Sequence, residues 1–225
     1  TERFFGRAGI TMPTTQEFVD AGINFEDIAT VYAQEKDAGH EPQLVITANG
    51  LPLEAWHRGY QALQDDPGVN TLGVDGAPRI RGGGLHVNDS IITHWSDLTD
   101  LSHLPGAGAN SRVMTHQGIP WTIRIIPGTI YPTETSVDHA YKEAQHPTIS
   151  DYLTMRAIRY ELGEAPVDRL KEKASSFPYA TWLAGDLANG ACAPTGSSNN
   201  DGSQVHLLST YRDLRPTTLG VRPVV

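Results

Sequence analysis

The chain has 225 residues, with 26 Asp and Glu against 17 Lys and Arg, for a formal net charge of −9. An acidic chain without a basic run is poorly suited to phosphate backbones or to anionic lipid surfaces, so neither nucleic acid nor membrane is expected as a partner. A mean hydropathy of −0.33 with no long apolar run argues against a membrane-spanning helix.

Cys192 is the only cysteine, so neither an intrachain disulfide nor a thiolate zinc site can form. Hydrophobic residues make up 39%, with 22 Gly and 15 Pro, the balance of a folded, loop-rich α+β protein. No charged-then-apolar leader opens the chain and no repeat runs through it, so location stays open.

Along the chain, Thr14 and Glu17 have capping-box spacing after Pro13 and predict a helix start. Asn24 opens a second helix carrying Phe25, Ile28, Val31 and Tyr32, which Gly39 ends. Gln43 to Ala48 reads as a buried strand. Pro52 suits a first helical turn, after which Leu53, Trp56, Tyr60 and Leu63 recur on one face. Asp65 to Gly84 reads as loop with a short strand inside it.

Asn88 or Asp89 then caps a helix whose inward face is Ile91, Ile92, Trp95 and Leu98. Ser102 to Ser111 is expected as loop. Trp121 to Ile126 alternates apolar and polar residues, predicting a half-buried strand. Composition shifts between Ile130 and Pro147. Thr148 and Asp151 cap an amphipathic helix with Ile149, Tyr152, Leu153, Ile158 and Leu162 inward and Gly163 as its stop. A short segment from Trp182 to Leu187 and a Gly/Ser/Asn-rich turn follow. Strands at Gln204 to Ser209 and Leu219 to Val225 close the chain, with Val205, Leu207 and Val221 pointing into the core.

Several groupings invite a chemical reading. His86, Asp89 and His94 lie close enough in sequence for a metal-assisted hydrolase site, but without HExxH-like spacing, and a capping Asp89 explains the pattern more simply. Gly82, Gly83 and Gly84 lead into a strand instead of the helix a phosphate-binding loop requires. Cys192 stands between alanines, with His206 as the nearest histidine after it in the chain, and reads as a small buried side chain. Asp65 and Asp66 read as turn residues, and Ser197 to Gly202 as a hairpin turn in preference to a calcium loop.

The C-terminal third carries the most specific pattern: Thr181-Trp182-Leu183-Ala184-Gly185, Ala193-Pro194, Gln204-Val205-His206-Leu207 and Leu219-Gly220-Val221-Arg222-Pro223-Val224-Val225. It resembles the ending of C-type-lectin-like proteins of the formylglycine-generating-enzyme type. More narrowly, it looks like the variable proteins of diversity-generating retroelements, in which a fixed framework holds a surface altered by reverse-transcriptase mutagenesis. The resemblance implies framework roles for Gly202, Val205, Leu207, Gly220, Val221 and Arg222. It implies a variable, hypervariable-region-like face at Ser197, Ser198, Asn199, Asn200, Ser209, Thr210, Tyr211, Arg212, Leu214, Arg215, Pro216, Thr217 and Thr218. These residues mix hydroxyls, amides, an aromatic and cations without hydrophobic periodicity, as paratopes do. The formylglycine-generating oxidase uses a cysteine pair, which this chain lacks, so that chemistry is not implied.

The expectation is thus an α+β protein with residues 1–140 as a mixed α/β region of unrecognised family. Residues 141–225 are expected to form a C-type-lectin-like ligand-binding unit against which that region packs. The expected function is binding of a protein or other macromolecular ligand, with Tyr211 and Arg212 as anchors. Neither catalytic residues nor a cofactor or metal is expected. The alternatives are the metal-assisted hydrolase at His86, Asp89 and His94, or a phage or plasmid structural component.

Overall fold

A computed structural model describes residues 1–66, 69, 71–72, 78–79, 84–104, 112–127, 131–132, 146–164, 180–187, 190–198, 204–213 and 219–221. The protein is α+β. Helices α1 (Glu2–Arg7), α2 (Thr15–Asp20) and α3 (Phe25–Asp37) lead to strand β1 (Pro42–Ala48) and helix α4 (Leu53–Asp65). Short strands β2 (Thr71–Leu72), β3 (Pro78–Arg79) and β4 (Leu85–Val87) precede helices α5 (Asp89–Thr93) and α6 (Trp95–Thr99). Strands β5 (Arg112–His116), β6 (Ile119–Pro127) and β7 (Tyr131–Pro132) follow, and then helix α7 (Ile149–Leu162). Strands β8 (Ala180–Trp182), β9 (Cys192–Ser198), β10 (Val205–Tyr211) and β11 (Leu219–Val221) complete the described chain.

The local chemistry explains most boundaries. Thr14 and Glu17 close the capping box of α2, Asn24 accepts from Glu26 N to open α3, and Asn88 accepts from Ser90 N to open α5. Thr148 and Asp151 form the capping box of α7, and Gly163, at φ 67°, ends it in the left-handed region. Pro52 is the N-cap of α4, one position earlier than a first-turn residue.

Two sheets enclose α7. The first, in the order β1-β6-β5, is antiparallel. The second runs β4-β10-β9-β8-β11-β7, with β4/β10 and β8/β11 parallel. From the first sheet, Thr47 Oγ1 donates to the Ser150 carbonyl at 3.1 Å and meets the Thr154 hydroxyl, while Gln43 Nε2 reaches the Met155 carbonyl at 3.4 Å. On the other side, Gly196 of β9 lies against the Tyr152 ring. The first three turns of α7 are therefore buried on nearly every side, which is why Ser150, Asp151, Thr154 and Arg156 are as buried as Leu153.

A buried ion pair also links β6 to α7, Arg124 Nε to Asp151 Oδ2 at 3.3 Å, with both side chains at most 1% exposed. The same Asp151 oxygen accepts from Thr148 N at 2.8 Å, so one carboxylate caps the helix and neutralises the arginine. Tyr60 of α4 adds a further tie, its hydroxyl donating to the Leu153 carbonyl at 2.7 Å, and burial raises its pKa well above the ordinary phenol value. Phe4 and Phe5 of α1 pack edge-on against Tyr60 and Trp121 with ring centres 5.4 and 5.0 Å apart.

Residues 1–140 and 141–225 do not form separate cores. Phe4, Trp56, Trp121, Tyr152, Leu183, Val205 and Leu207 belong to one buried cluster. Both edge strands of the larger sheet, β4 and β7, come from the first 140 residues. The expected packing of the two stretches is thus a shared sheet and core.

Three sequence expectations need correction. The helix expected across Ile91, Ile92, Trp95 and Leu98 breaks at His94, whose φ of −108° and ψ of 17° end α5 and begin α6, and Ile92 is left 46% exposed. Strand β6 is buried throughout Trp121 to Ile126 instead of on one face, because its polar face meets α7. Leu162 is 65% exposed, since the last turn of α7 emerges from between the sheets.

Arg124→Met is expected to lower stability by about 3–5 kcal/mol, because it strands a buried carboxylate. Adding Asp151→Asn, which keeps a capping oxygen, should recover part of that loss, and urea unfolding of the three variants measures it. Gly196→Ala would place its Cβ 2.6 Å from Tyr152 Cδ1 and should cost about 1–3 kcal/mol in the same assay.

Candidate functional site

The candidate face is built on the β9–β10 ladder, whose antiparallel register runs from Val205 opposite Ser198 to Tyr211 opposite Cys192. Along β10, Val205 and Leu207 are fully buried, and Ser209 and Tyr211 follow on the same side by the two-residue period. The core ends before Tyr211, which emerges 62% exposed. Thr210 points to the other side, and its hydroxyl lies 2.9 Å from that of Thr195. Strand β10 extends two residues beyond its expected end at Ser209, so Ser209, Thr210 and Tyr211 alternate between faces instead of sharing one.

Arg212 is held within the protein. Its backbone N donates to the Ala191 carbonyl at 3.1 Å, and its guanidinium pairs with the Asp186 carboxylate and reaches the Gly185 carbonyl at 3.5 Å. This ties the end of β10 to the turn after β8. That turn depends on Gly185, at φ 121°, where a Cβ would meet Leu98 Cδ2 at 2.5 Å. Arg212 therefore acts as a brace beneath Tyr211, and only 15% of its side chain is exposed.

Ser197 and Ser198 stand elsewhere. They lie at the opposite end of the ladder, five and six register positions from the Cys192–Tyr211 pair, a separation of roughly 17–20 Å at about 3.4 Å per residue. They are 3% and 1% exposed, buried as part of β9. The described candidates thus divide into an exposed group ending at Tyr211 and a buried pair that does not join it. Asn199, Asn200, Leu214, Arg215, Pro216, Thr217 and Thr218 lie outside the described residues, as do Gly202 and Arg222; so do Gly82 and Gly83, and most of the hairpin turn expected from Ser197 to Gly202, of which Ser197 and Ser198 belong to β9.

The other groupings resolve as follows. Among the described residues no group of three or more His, Cys, Asp or Glu side chains is placed to hold a metal ion. His86, Asp89 and His94 are not brought together: His86 faces His206, while His94 Nδ1 lies 2.8 Å from the Ser90 carbonyl in its own helix turn. Cys192 is buried and free, and pairs with Tyr211, five register positions from His206, which is opposite Ser197. Gly84 leads into strand β4, as the sequence pattern requires. Asp66 ends α4 and also pairs with Arg7 and Arg3, a role beyond that of a turn residue. No described helix is long and apolar enough to cross a membrane.

Two clefts open elsewhere. One of about 680 Å³ is lined by Asn49, Trp95, Thr99 and Asp100 among others, and one of about 620 Å³ by Phe25, Tyr32, Leu44 and Ile158 among others. Neither has a described candidate-face residue in its lining.

The histidine pair between β4 and β10 is the feature that sequence reading missed, since 120 positions of chain separate its members and only strand pairing joins them. Burial, and then the neighbouring His86, hold the His206 pKa below the ordinary imidazole value. A lowered folded value means the unfolded chain takes up the proton first. The stabilisation is full above about pH 6.5 and is lost as pH falls from there through the folded value. Urea unfolding at pH 7.5 and 5.5 should show a larger drop for the wild type than for His206→Gln; equal drops would place the titration elsewhere.

Comparison with profiles of known protein families, with curated proteins and with solved structures found no match to this chain.

Proposed function

We propose that the protein binds a protein or other macromolecular ligand, without catalysis, through a diversifiable surface on a C-type-lectin-like scaffold, and that it is the target of a diversity-generating retroelement. The observation that carries this reading is Tyr211, an aromatic side chain 62% exposed at the end of a strand whose inner residues are fully buried. A rigid aromatic presented on a fixed strand gives a large contact area with little ordering entropy, the combination that dominates binding surfaces. Arg212 and Asp186 hold the strand end in place, and Ser209 supplies a hydroxyl on the same side of the strand as Tyr211.

The burial of Ser197 and Ser198 narrows the surface. Changes there would disturb β9, so variation belongs to the Tyr211 end and to the residues that follow it. The metal-assisted hydrolase loses its support, because His86, Asp89 and His94 form no cluster.

The test is a search of the gene's neighbourhood for a near-copy of the segment encoding Ala193 to Val225 beside a reverse transcriptase. A copy differing only at template adenines, with changes from Ser209 onward and none at Ser197 or Ser198, is the expected finding. Absence of both copy and reverse transcriptase overturns diversification. Once a ligand is captured, Tyr211→Ala should weaken binding at least tenfold with an unchanged melting temperature.

A further inference from the structure

The parallel pairing of β4 with β10 places His86 directly opposite His206. Their strand neighbours Leu85, Val87, Val205 and Leu207 are all buried, so the period of two turns both imidazoles to the other side of the sheet. His86 is exposed and His206 half-buried. The ring centres are 5.1 Å apart, with the planes inclined at 49°.

That spacing has a chemical meaning. An ion about 2.0–2.1 Å from one nitrogen of each ring, at a tetrahedral angle, sets two imidazole centres about 5 Å apart. His206 Nε2 lies 3.2 Å from Gln204 Oε1. In the tautomer that donates its Nε2 proton to that amide oxygen, the Nδ1 lone pair is left for a metal, and such an oxygen acceptor is the usual kind of outer partner of a ligating histidine. Two nitrogen ligands select transition metals over calcium or magnesium, which prefer oxygen.

We propose that His86 and His206 form a cross-strand chelate for a divalent transition-metal ion of the zinc, nickel and copper group, with water filling the remaining positions. The site is separate from the binding face: His206 lies five register positions from the Tyr211 end of the ladder. Its consequence is structural. The β4–β10 pairing comprises only three register pairs, yet it joins the first 140 residues to one edge of the larger sheet. An ion held by one histidine from each strand clamps that junction.

The experiment uses the full chain stripped with EDTA, titrated calorimetrically with Zn²⁺ and then with Cu²⁺, and melted with and without each ion. One equivalent should bind, more tightly for Cu²⁺ than for Zn²⁺, and the melting temperature should rise by a few degrees. His86→Gln and His206→Gln should each weaken binding at least tenfold and abolish the rise, while His94→Gln changes neither. The Cu²⁺ form should show two coordinated imidazole nitrogens by electron paramagnetic resonance, a direct readout on the wild type. Undiminished binding in both His86→Gln and His206→Gln, a spectrum with fewer than two nitrogens, or no binding at millimolar Zn²⁺ would each overturn the proposal.

Discussion

The structure depends on the way α7 is held between two sheets. A helix buried on nearly every side must satisfy its polar side chains inside the protein, and α7 carries Ser150, Asp151, Thr154 and Arg156 into that position. Asp151 resolves much of the difficulty with one oxygen, which accepts from the backbone of its own N-cap Thr148 and pairs with the Arg124 guanidinium of β6. Replacing such a pair with apolar residues of similar size is often tolerated, whereas removing one member leaves a buried charge, so the value of the pair lies in fixing orientation. Arg124 is in the N-terminal stretch and Asp151 in the C-terminal one, so the pair also sets how the two parts of the chain meet.

From that anchoring the rest of the molecule follows. Tyr152, one residue beyond Asp151, presses its ring onto β9 at Gly196, where a side chain would not fit. Strand β9 sets the register of β10 over seven residue pairs, which decides where the core ends and Tyr211 emerges. Arg212 then closes onto Asp186 and Gly185. A surface mounted this way changes little in shape when its exposed residues change, because the residues that position it are buried and lie elsewhere. The edge strand β4 is joined by fewer contacts, and the histidine pair lies on that weaker junction.

Much of the fold was legible in the sequence where the signal is local. The capping boxes at Thr14–Glu17 and Thr148–Asp151, the Asn24 cap and the Gly163 stop depend on residues three or four apart, and each stands where the pattern put it. Helix α1 was not legible, because six residues are too few to establish a period, and Phe4 and Phe5 acquire meaning only against Tyr60 and Trp121. The candidate face was legible in part. Tyr211 is exposed as its surroundings suggested, but Ser197 and Ser198 look the same in sequence as solvent-facing serines and are buried because both faces of β9 are covered.

The sequence by itself determined the α+β class, most helix starts and stops, the strands at β1, β4, β6, β10 and β11 in outline, and that no disulfide can form within these residues with only Cys192 present. These are consequences of composition and of bonding over a few residues. Only the tertiary structure decided that residues 1–140 supply both edges of the C-terminal sheet, that β6 is buried on both faces, that Arg212 is a brace, and that His86 meets His206. Each of these rests on pairing between positions far apart in the chain. Periodicity reports which residues of one element share a face, and it carries no information about which element lies against that face.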